Sequence, residues 1–160
     1  FKIAMKTLEV FRMSVGAAAV GIGRAAFDAA LEYAKKRVQF GSPIATFQAI
    51  QFKLAEMATE LDAARALVYR AAISKDMGDL NVSRFASMAK FYATEIAFRA
   101  VDQGLQIHGG VGVIQGSVVE RLYREIRALR IYEGTSEIQK LIIANSLLKD
   151  RVEKEEVTQD

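Results

Sequence analysis

The sequence of 160 residues contains no cysteine, no tryptophan, one proline and one histidine. The lack of cysteine excludes a disulfide framework and a thiol nucleophile. One histidine leaves almost no route to a zinc site, which needs several Cys or His ligands. The scarcity of proline favours long helices, because proline removes a backbone donor and clashes with the preceding turn. We therefore expect an all-α protein with no metal site.

Neither sign of charge dominates, since 22 Lys and Arg stand against 19 Asp and Glu. The two signs are interspersed along the chain, which argues against a nucleic-acid partner. The uncharged run Met13–Gly23 is too short for a transmembrane helix, and no secretory signal pattern opens the sequence. The composition, 51% hydrophobic and 26% charged, is typical of a globular protein. We expect no membrane span and no nucleic-acid partner.

Apolar residues recur at steps of three and four in three long segments, which is the spacing of an amphipathic helix. The breaks Phe40–Pro43 and Met77–Asp79 separate these segments. Thr46 and Asn81 are placed to cap the second and third helices. The apolar positions are Phe11, Val15, Ala18, Ile22, Ala26, Ala29 and Tyr33; Ile50, Leu54, Met57, Leu61, Ala64, Val68 and Ala71; and Phe85, Met88, Tyr92 and Ile96. The pattern predicts three long antiparallel helices.

Two capping-box patterns, Ser117–Glu120 and Ser136–Gln139, predict two further helices. The first should cover about residues 118–129, within the usual boundary error. No segment shows a convincing alternation typical of strands. The fold class predicted for residues 1–150 is therefore all-α, an up-down four-helix bundle with an additional short helix. Residues 151–160 are polar and charged, and we expect a disordered tail there.

Three features could be read as functional but are better explained by structure. Gly21-Ile22-Gly23 lacks a preceding strand and a third glycine, so it predicts close helix packing and not a dinucleotide loop. The arginines that recur every three residues from Arg121 to Arg130 are interspersed with glutamates, which predicts a solvated helix face. His108 has no partner in a catalytic-triad arrangement, so we expect a structural histidine.

Glu133 lies on a glycine-flanked turn between two predicted helices, directly after Ile131 and Tyr132. A carboxylate held against apolar walls loses hydration and becomes a stronger base toward a weakly acidic C–H group. A glutamate that merely links two helices fits the same pattern. Spacing alone does not decide between the two interpretations.

Short sequence motifs occur at Arg37–Gly41, at Gln106–Gly112 and at residues 130–139, and in this order they resemble three motifs of the acyl-CoA dehydrogenase family. Residues 130–139, Arg-Ile-Tyr-Glu-Gly-Thr-Ser-Glu-Ile-Gln, resemble the family's segment around its catalytic glutamate. Arg37–Gly41 resembles its Arg-x-x-Phe-Gly loop, and Gln106–Gly112 resembles its Gln-x-x-Gly-Gly-x-Gly turn. The resemblance covers residues 1–150 and corresponds to the family's C-terminal helical domain. We expect the family's N-terminal helical domain and central β-domain to be absent from this chain.

The resemblance implies an FAD-dependent oxidoreductase that converts an acyl-CoA thioester to the trans-2-enoyl-CoA. Glu133 would remove the α-proton while the β-hydrogen leaves as hydride to the flavin. The backbone N–H of Glu133 and a flavin hydroxyl would stabilise the charge that gathers on the thioester oxygen. We expect little or no turnover from this chain alone, because half of the pocket would lie on the absent domains.

The resemblance also implies a flavin pocket built across a dimer interface. Arg37 would reach the pyrophosphate of the neighbouring subunit's flavin, since its forked donors suit phosphate oxygens. Thr135 would contact the flavin where the free N–H groups at the start of a helix favour anionic oxygens. The residues implied in FAD binding are Arg37, Phe40, Gln48, Gln106, Gly110 and Thr135. The implied assembly is a homo-oligomer, a dimer or a tetramer.

For the acyl-CoA substrate, the resemblance implies contacts from Glu9, Arg12, Tyr132 and Gly134. Some family members place their base at the helix position of Phe11, but a phenylalanine cannot act as a base, so Glu133 has no visible competitor. A bulky ring there would narrow the acyl pocket. We therefore expect a preference for short or medium acyl chains.

Two alternatives to a dehydrogenase stay open. An acyl-CoA oxidase would share the base and differ in whether dioxygen reaches the reduced flavin. A helical oligomerisation module would keep the assembly interface without activity of its own. For a dehydrogenase, an electron-transfer flavoprotein is the implied electron acceptor. Both the bacterial cytoplasm and the mitochondrial matrix fit as the compartment.

Overall fold

The structure, a computed structural model, describes residues 2–157 of the chain. Five helices and one small hairpin make up the described residues. The helices are α1 Lys2–Lys36, α2 Gln48–Asp76, α3 Val82–His108, α4 Val118–Leu129 and α5 Ser136–Val157, and the strands are β1 Val38–Gln39 and β2 Ser42–Pro43. Short 3₁₀ turns cover Ile44–Thr46 and Gly109–Val113. The all-α fold class is confirmed.

The long helices α1 and α3 run parallel and in close contact. A Cβ at Gly16 would lie 3.4 Å from the carbonyl oxygen of Ala89, and one at Gly23 would lie 3.2 Å from the Cα of Ala97. The residue numbers of the contacting positions increase in the same direction along α1 and α3, which shows that the two helices are parallel. The prediction that the glycines of Gly21-Ile22-Gly23 allow close helix packing is confirmed for Gly23. It is wrong for Gly21, which is exposed and has open space where a Cβ would lie.

Helix α2 runs antiparallel to α1, since Val68 packs near Gly16 and Leu61 packs near Gly23. The apolar stripe predicted for α2 is largely confirmed. Its members Met57, Leu61, Ala64 and Ala71 are buried, and the other members pack partly buried against the core. A bundle of alternating helix directions results.

The predicted stripe of α3 differs from the buried one. Phe85, Met88 and Tyr92 are only partly buried, whereas small residues of the same helix reach full burial. The reason is that α3 is the central helix and contacts all four other helices, so nearly every side of it is covered. Periodicity assumes one buried face, so it correctly identified Ile96, which is 1% exposed, but missed the small residues that are buried on the other sides of the helix.

A two-stranded hairpin connects α1 to the bundle, where the sequence predicted a loop without strands. Val38 pairs with Pro43 and Gln39 with Ser42. Phe40 and Gly41 form the turn with φ of 50° and 81°. Positive φ at both turn residues suits the twist of a tight hairpin. These strands are too short for an alternating pattern to reveal them.

The helix starts differ from the predicted caps. Thr46 lies in a 3₁₀ turn and donates to the Pro43 carbonyl at 2.8 Å, so Phe47 precedes α2 instead. Asn81 and Ser117 precede α3 and α4 as predicted, but neither side chain caps its helix. The hydroxyl of Ser136 is likewise taken by another partner, Glu95. Tertiary contacts and turns thus replace the local caps.

Helix α5 extends through Val157, so it covers most of the segment 151–160 for which we expected a disordered tail. The segment is rich in Glu and Lys, which have high helix propensity and continue a helix that has already formed. Residues 158–160 lie outside the described residues.

Among the residues that the structure describes, one helix, Thr7–Lys36 of α1, is long and apolar enough to cross a membrane. Its apolar positions include fully buried alanines that pack against α2 and α3. The bundle core therefore accounts for the hydropathy of this segment.

Candidate active site

The turn between α4 and α5 carries the candidate base. Glu133 has a φ of 57° and Gly134 a φ of 91°, so two consecutive residues adopt the left-handed region. For glutamate this conformation is unfavourable and persists only where neighbouring contacts impose it. A Cβ at Gly134 would lie 2.8 Å from Nε2 of Gln139, so glycine also makes room for a side chain that packs on the turn.

Three buried side chains donate hydrogen bonds to the carbonyls of this turn. Nζ of Lys90 donates to the Gly134 carbonyl at 2.8 Å. Nε2 of Gln139 donates to the carbonyls of Glu133 at 3.0 Å and Gly134 at 2.9 Å. Nε of Arg12 approaches the Glu133 carbonyl at 3.4 Å. We call Lys90, Gln139 and Arg12 the turn anchor; Lys90 and Gln139 are fully buried and Arg12 is 4% exposed.

Burial shifts the proton equilibria of the two cations in the turn anchor. Desolvation is the largest cause for Lys90, and with the charge of Arg12 it lowers the lysine pKa from 10.5 to about 8. Desolvation also lowers the pKa of Arg12, against the opposing effect of the Glu133 and Glu9 charges. Two cations, Lys90 and Arg12, thus lie beside the turn in a poorly hydrated environment.

A second set of contacts fixes the ends of the turn. Glu95 of α3 accepts from Arg130 at the end of α4 and, at 2.6 Å, from the hydroxyl of Ser136 at the start of α5. Arg130 therefore departs from the predicted solvated face. The prediction is confirmed for the exposed Arg121 and Arg124, which pair with glutamates of α4 itself.

Glu133 itself keeps hydrogen-bonding capacity. Its Oε2 atom is buried and accepts no hydrogen bond from any residue that the structure describes. Nη1 of Arg12 and Oε1 of Gln139 are buried in the same way, without a partner in the described part of the chain. A carboxylate that no structural contact consumes can take up a proton from a molecule placed against it.

The predicted substrate residues lie around this turn. Arg12 belongs to the turn anchor, and Gly134 forms the turn. Tyr132 is half exposed, and burial followed by the Glu133 charge raises the pKa of its phenol. Glu9 lies one helical turn before Arg12 and pairs with Lys75 of α2 at 3.3 Å. The structure therefore brings the predicted base and these four residues into one region.

Of the predicted cofactor residues, only Thr135 lies beside Glu133, where it precedes α5 and its Oγ1 approaches the Ile138 amide at 3.5 Å. Arg37 directly follows α1, so it is separated from Arg12 by roughly 36 Å of helix. The remaining cofactor residues, Phe40, Gln48, Gln106 and Gly110, are exposed and lie near the C-terminal ends of α1 and α3 or the connection after α1.

The ends of α1 and α3 meet through a ring stack. Tyr33 and His108 lie 4.4 Å apart between ring centroids, and Nδ1 of His108 donates to the Gly104 carbonyl at 2.7 Å. This confirms the structural role predicted for His108. The contact brings the C-terminal ends of α1 and α3 together, so the predicted cofactor residues near these ends lie apart from the Glu133 turn.

Sequence reasoning missed Lys90, Gln139 and Glu95. Lys90 lies between Ala86 and Ala93 on the buried side of α3, so a charged residue among small buried ones was the available signal. Gln139 was assigned to a capping box, yet its side chain packs back on the turn. The contacts of Lys90 and Glu95 join groups that only the bundle brings together, whereas those of Gln139 are local to the turn.

Comparison with known proteins identifies the family. The family model for the acyl-CoA dehydrogenase C-terminal domain matches residues 1–148. The chain is 56% identical to a 3-(aryl)acrylate reductase from Clostridium sporogenes and 50% identical to the caffeyl-CoA reductase-Etf complex subunit CarC from Acetobacterium woodii. Each match covers 93% of this chain and 39% of the relative. This chain belongs to the acyl-CoA dehydrogenase C-terminal domain family.

A solved structure supports the same assignment. The butyryl-CoA dehydrogenase from Megasphaera elsdenii superposes with a TM-score of 0.90 at 44% identity, over 92% of this chain and 38% of that one. Other relatives include bacterial and mitochondrial acyl-CoA dehydrogenases. This chain thus spans well under half the length of the relatives that it matches.

Proposed function

We propose that this chain is the C-terminal domain of an FAD-dependent oxidoreductase that acts on acyl-CoA thioesters, with Glu133 as the base at the α-carbon. The observation that carries the proposal is the Glu133 turn. Its backbone adopts the left-handed region under a buried anchor, while its Oε2 atom accepts no hydrogen bond from the described residues. This combination fits a carboxylate held in place for proton transfer.

In the proposed reaction, Glu133 takes the α-proton of the thioester into its carboxylate. FAD, if bound beside Glu133, would supply the acceptor for the β-hydrogen, which leaves the substrate as hydride. The backbone N–H of Glu133 would bind the thioester oxygen, on which negative charge develops. Lys90 and Arg12 hold the backbone of the turn through the Gly134 and Glu133 carbonyls, which keeps the Glu133 carboxylate and amide in place for these two roles.

The residues present are compatible with FAD. The Arg37 side chain is exposed and makes no ion pair with any described residue, so its guanidinium is free for a phosphate. Gly110 is also exposed, with open space where a Cβ would lie. Thr135 and the first turn of α5 would face the flavin beside Glu133. Since Arg37 and Thr135 belong to two distant groups, one chain would contribute to two flavin sites, which supports a site shared between subunits.

The test is Glu133→Gln in the longer protein that, on this proposal, contains the chain. We expect the variant to keep bound flavin and to lose at least about 10³-fold of the rate at which a saturating acyl-CoA bleaches the flavin anaerobically. Butyryl-, isobutyryl- and octanoyl-CoA are the probes, and Glu125→Gln is the matched control, since Glu125 is an exposed glutamate of α4. A Glu133→Gln variant that bleaches at the rate of the unaltered protein would refute the assignment.

A second candidate is the reverse direction, reduction of an α,β-unsaturated acyl thioester. Two of the most similar relatives bear the names of reductases, one of a 3-(aryl)acrylate and one of caffeyl-CoA. In that direction Glu133 would return a proton to the α-carbon, since the same base serves both directions of a reversible step. Flavin reduced in advance and mixed with cinnamoyl-CoA or crotonyl-CoA distinguishes the directions. Reoxidation of the reduced flavin by cinnamoyl-CoA but not by crotonyl-CoA would favour the reductase.

The partners follow from the same proposal. An electron-transfer flavoprotein is the proposed electron partner, in line with the name of the CarC relative as part of an Etf complex. The proposed assembly is a homodimer or homotetramer, and the proposed compartment is the bacterial cytoplasm or the mitochondrial matrix. Phe11, 49% exposed beside Arg12, supports the preference for short or medium acyl chains.

A further inference from the structure

Lys90 is a lysine with no exposed surface in the middle of the central helix α3. Its Nζ donates to the Gly134 carbonyl at 2.8 Å, and it makes no ion pair with any residue that the structure describes. Removing an ammonium group from water is costly, and a single carbonyl does not offset that cost in the way a paired carboxylate does. Stability alone therefore does not account for a lysine at this position.

The other donors to the Gly134 and Glu133 carbonyls cannot replace Lys90. Gln139 belongs to α5 and lies within six residues of both carbonyls, so it moves with the turn and shapes it only locally. Arg12 approaches the Glu133 carbonyl at 3.4 Å, a long and weak contact. Within the turn anchor, Lys90 makes the short hydrogen bond that joins the turn to the centre of the bundle.

We infer that Lys90 is a positioning residue that fixes the Glu133–Gly134 turn relative to the bundle, and thereby the carboxylate and amide of Glu133 relative to the substrate. The inference rests on the proposed function, in which Glu133 is the base. It adds a residue that touches no substrate and acts through the backbone of the base. A small displacement of a reacting group can cost about 10²-fold in rate, so one hydrogen bond to the turn suffices for a large effect.

The test uses Lys90→Met, which keeps an unbranched side chain and removes the donor and the charge. Gly134 keeps its second donor, Gln139, so no carbonyl is left unpaired. We expect the variant to be at least as heat-stable as the unaltered protein at pH 7. In the longer protein, flavin bleaching by saturating acyl-CoA should slow by about 10–10²-fold, while the dissociation constant of the thioester changes less than about threefold.

The matched control is Lys140→Met, which removes an exposed lysine of α5 whose Nζ lies over the Phe91 ring. It should leave bleaching within about twofold of the unaltered rate. A Lys90→Met variant that bleaches like this control would overturn the inference. So would a variant whose melting temperature and thioester affinity fall together with its rate, because that pattern marks a purely structural lysine.

A second measurement separates this inference from the proposed function. In the 160-residue chain, the carbonyl carbon NMR shift of Gly134 reports the hydrogen bond without substrate or flavin. It should move in Lys90→Met and stay unchanged in Lys140→Met. The chain has no cysteine, so Lys90→Cys alkylated with 2-bromoethylamine restores an ammonium at this one site and should restore the shift.

The two measurements fail in different ways. If no thioester bleaches the unaltered longer protein, the proposed function fails, and the Gly134 shift alone decides whether Lys90 holds the turn. If the unaltered protein reacts but the Gly134 shift does not respond to Lys90→Met, the inference fails and the proposed function stands.

Discussion

At the scale of single residues, the charges around Glu133 are held by contacts that span the whole molecule. Lys90 comes from α3, Arg12 from α1, and Glu137 from α5. The charges that act on the Lys90 pKa are those of Arg12, which lowers it, and Glu95, Glu133 and Glu137, which raise it. Desolvation nevertheless dominates, because this lysine has no surface in contact with water.

The lowered pKa of Lys90 predicts a pH dependence of stability. Below about pH 8 the lysine is charged in both the folded and unfolded states, and the cost of burying that charge is fully present. As the pH rises from about 8 toward 10.5, the folded state loses the proton first, so the unfolded state binds more protons and stability rises. Relative to Lys90→Met, the protein should therefore gain about 2–3 kcal/mol of unfolding free energy between pH 7 and pH 10.

Urea unfolding of the protein and of Lys90→Met at both pH values measures this difference in the free energy of unfolding. Ionisable groups that both proteins share contribute equally to the two free energies, so their contributions cancel. A difference that stays constant with pH would mean that Lys90 keeps an ordinary pKa. A difference that moves in favour of the variant would mean that the folded state stabilises the charge.

At the scale of elements, the contact between α1 and α3 depends on small residues. Gly23 is buried, and a Cβ there would lie 2.6 Å from Cδ2 of Leu61 and 3.2 Å from the Cα and the Cβ of Ala97. Gly21 lies two residues earlier on the same helix, is exposed and has open space where its Cβ would lie. Substitution of Gly21 by alanine therefore tests helix propensity alone, whereas the same substitution at Gly23 tests helix propensity together with packing.

Gly21→Ala should raise the free energy of unfolding by up to about 1 kcal/mol, because alanine loses less conformational freedom in a helix. Gly23→Ala has the same propensity gain but crowds the backbone of α3, and should lower the free energy of unfolding by about 1–2 kcal/mol net. Thermal and urea unfolding of the two variants check this. Equal stabilisation by both would show that α1 and α3 separate easily at this point.

At the scale of the whole molecule, the chain matches relatives that are more than twice its length. Its proposed FAD residues lie in two distant groups, and several large apolar side chains are exposed. They include Phe40, Met77 and Leu80, at 95%, 79% and 100% exposure. Phe40 follows α1, whereas Met77 and Leu80 follow the antiparallel α2, so these side chains lie at opposite ends of the bundle.

The 160-residue chain by itself should fold as a helical bundle, bind no FAD and bleach none. The physical reason is that, on the proposed function, half of the flavin and acyl-CoA pocket belongs to other domains. Circular dichroism, flavin fluorescence titration and sedimentation equilibrium measure folding, binding and self-association. Stoichiometric FAD binding by the chain alone would show that its two groups of residues form a complete site without other domains.

The sequence by itself determined the long helices of this protein and made Glu133 the candidate base. Apolar spacing with glycine and proline breaks located the long helices, because helix formation responds to local periodicity. The same spacing identified the residues of α2 that are buried in the core. The run around Glu133 was specific enough to indicate the family, since ten consecutive residues carry the resemblance.

Only the tertiary structure decided how that turn is held. Lys90 lies 43 positions before Glu133 in the sequence, and Arg12 lies 121 positions before it. Local spacing contains no information on such pairs, because their contact exists only once α1, α3 and α5 pack together. The charge of Lys90 predicts a solvated position. Because α3 lies at the centre of the bundle, this lysine is instead buried and donates to the turn that carries the proposed base.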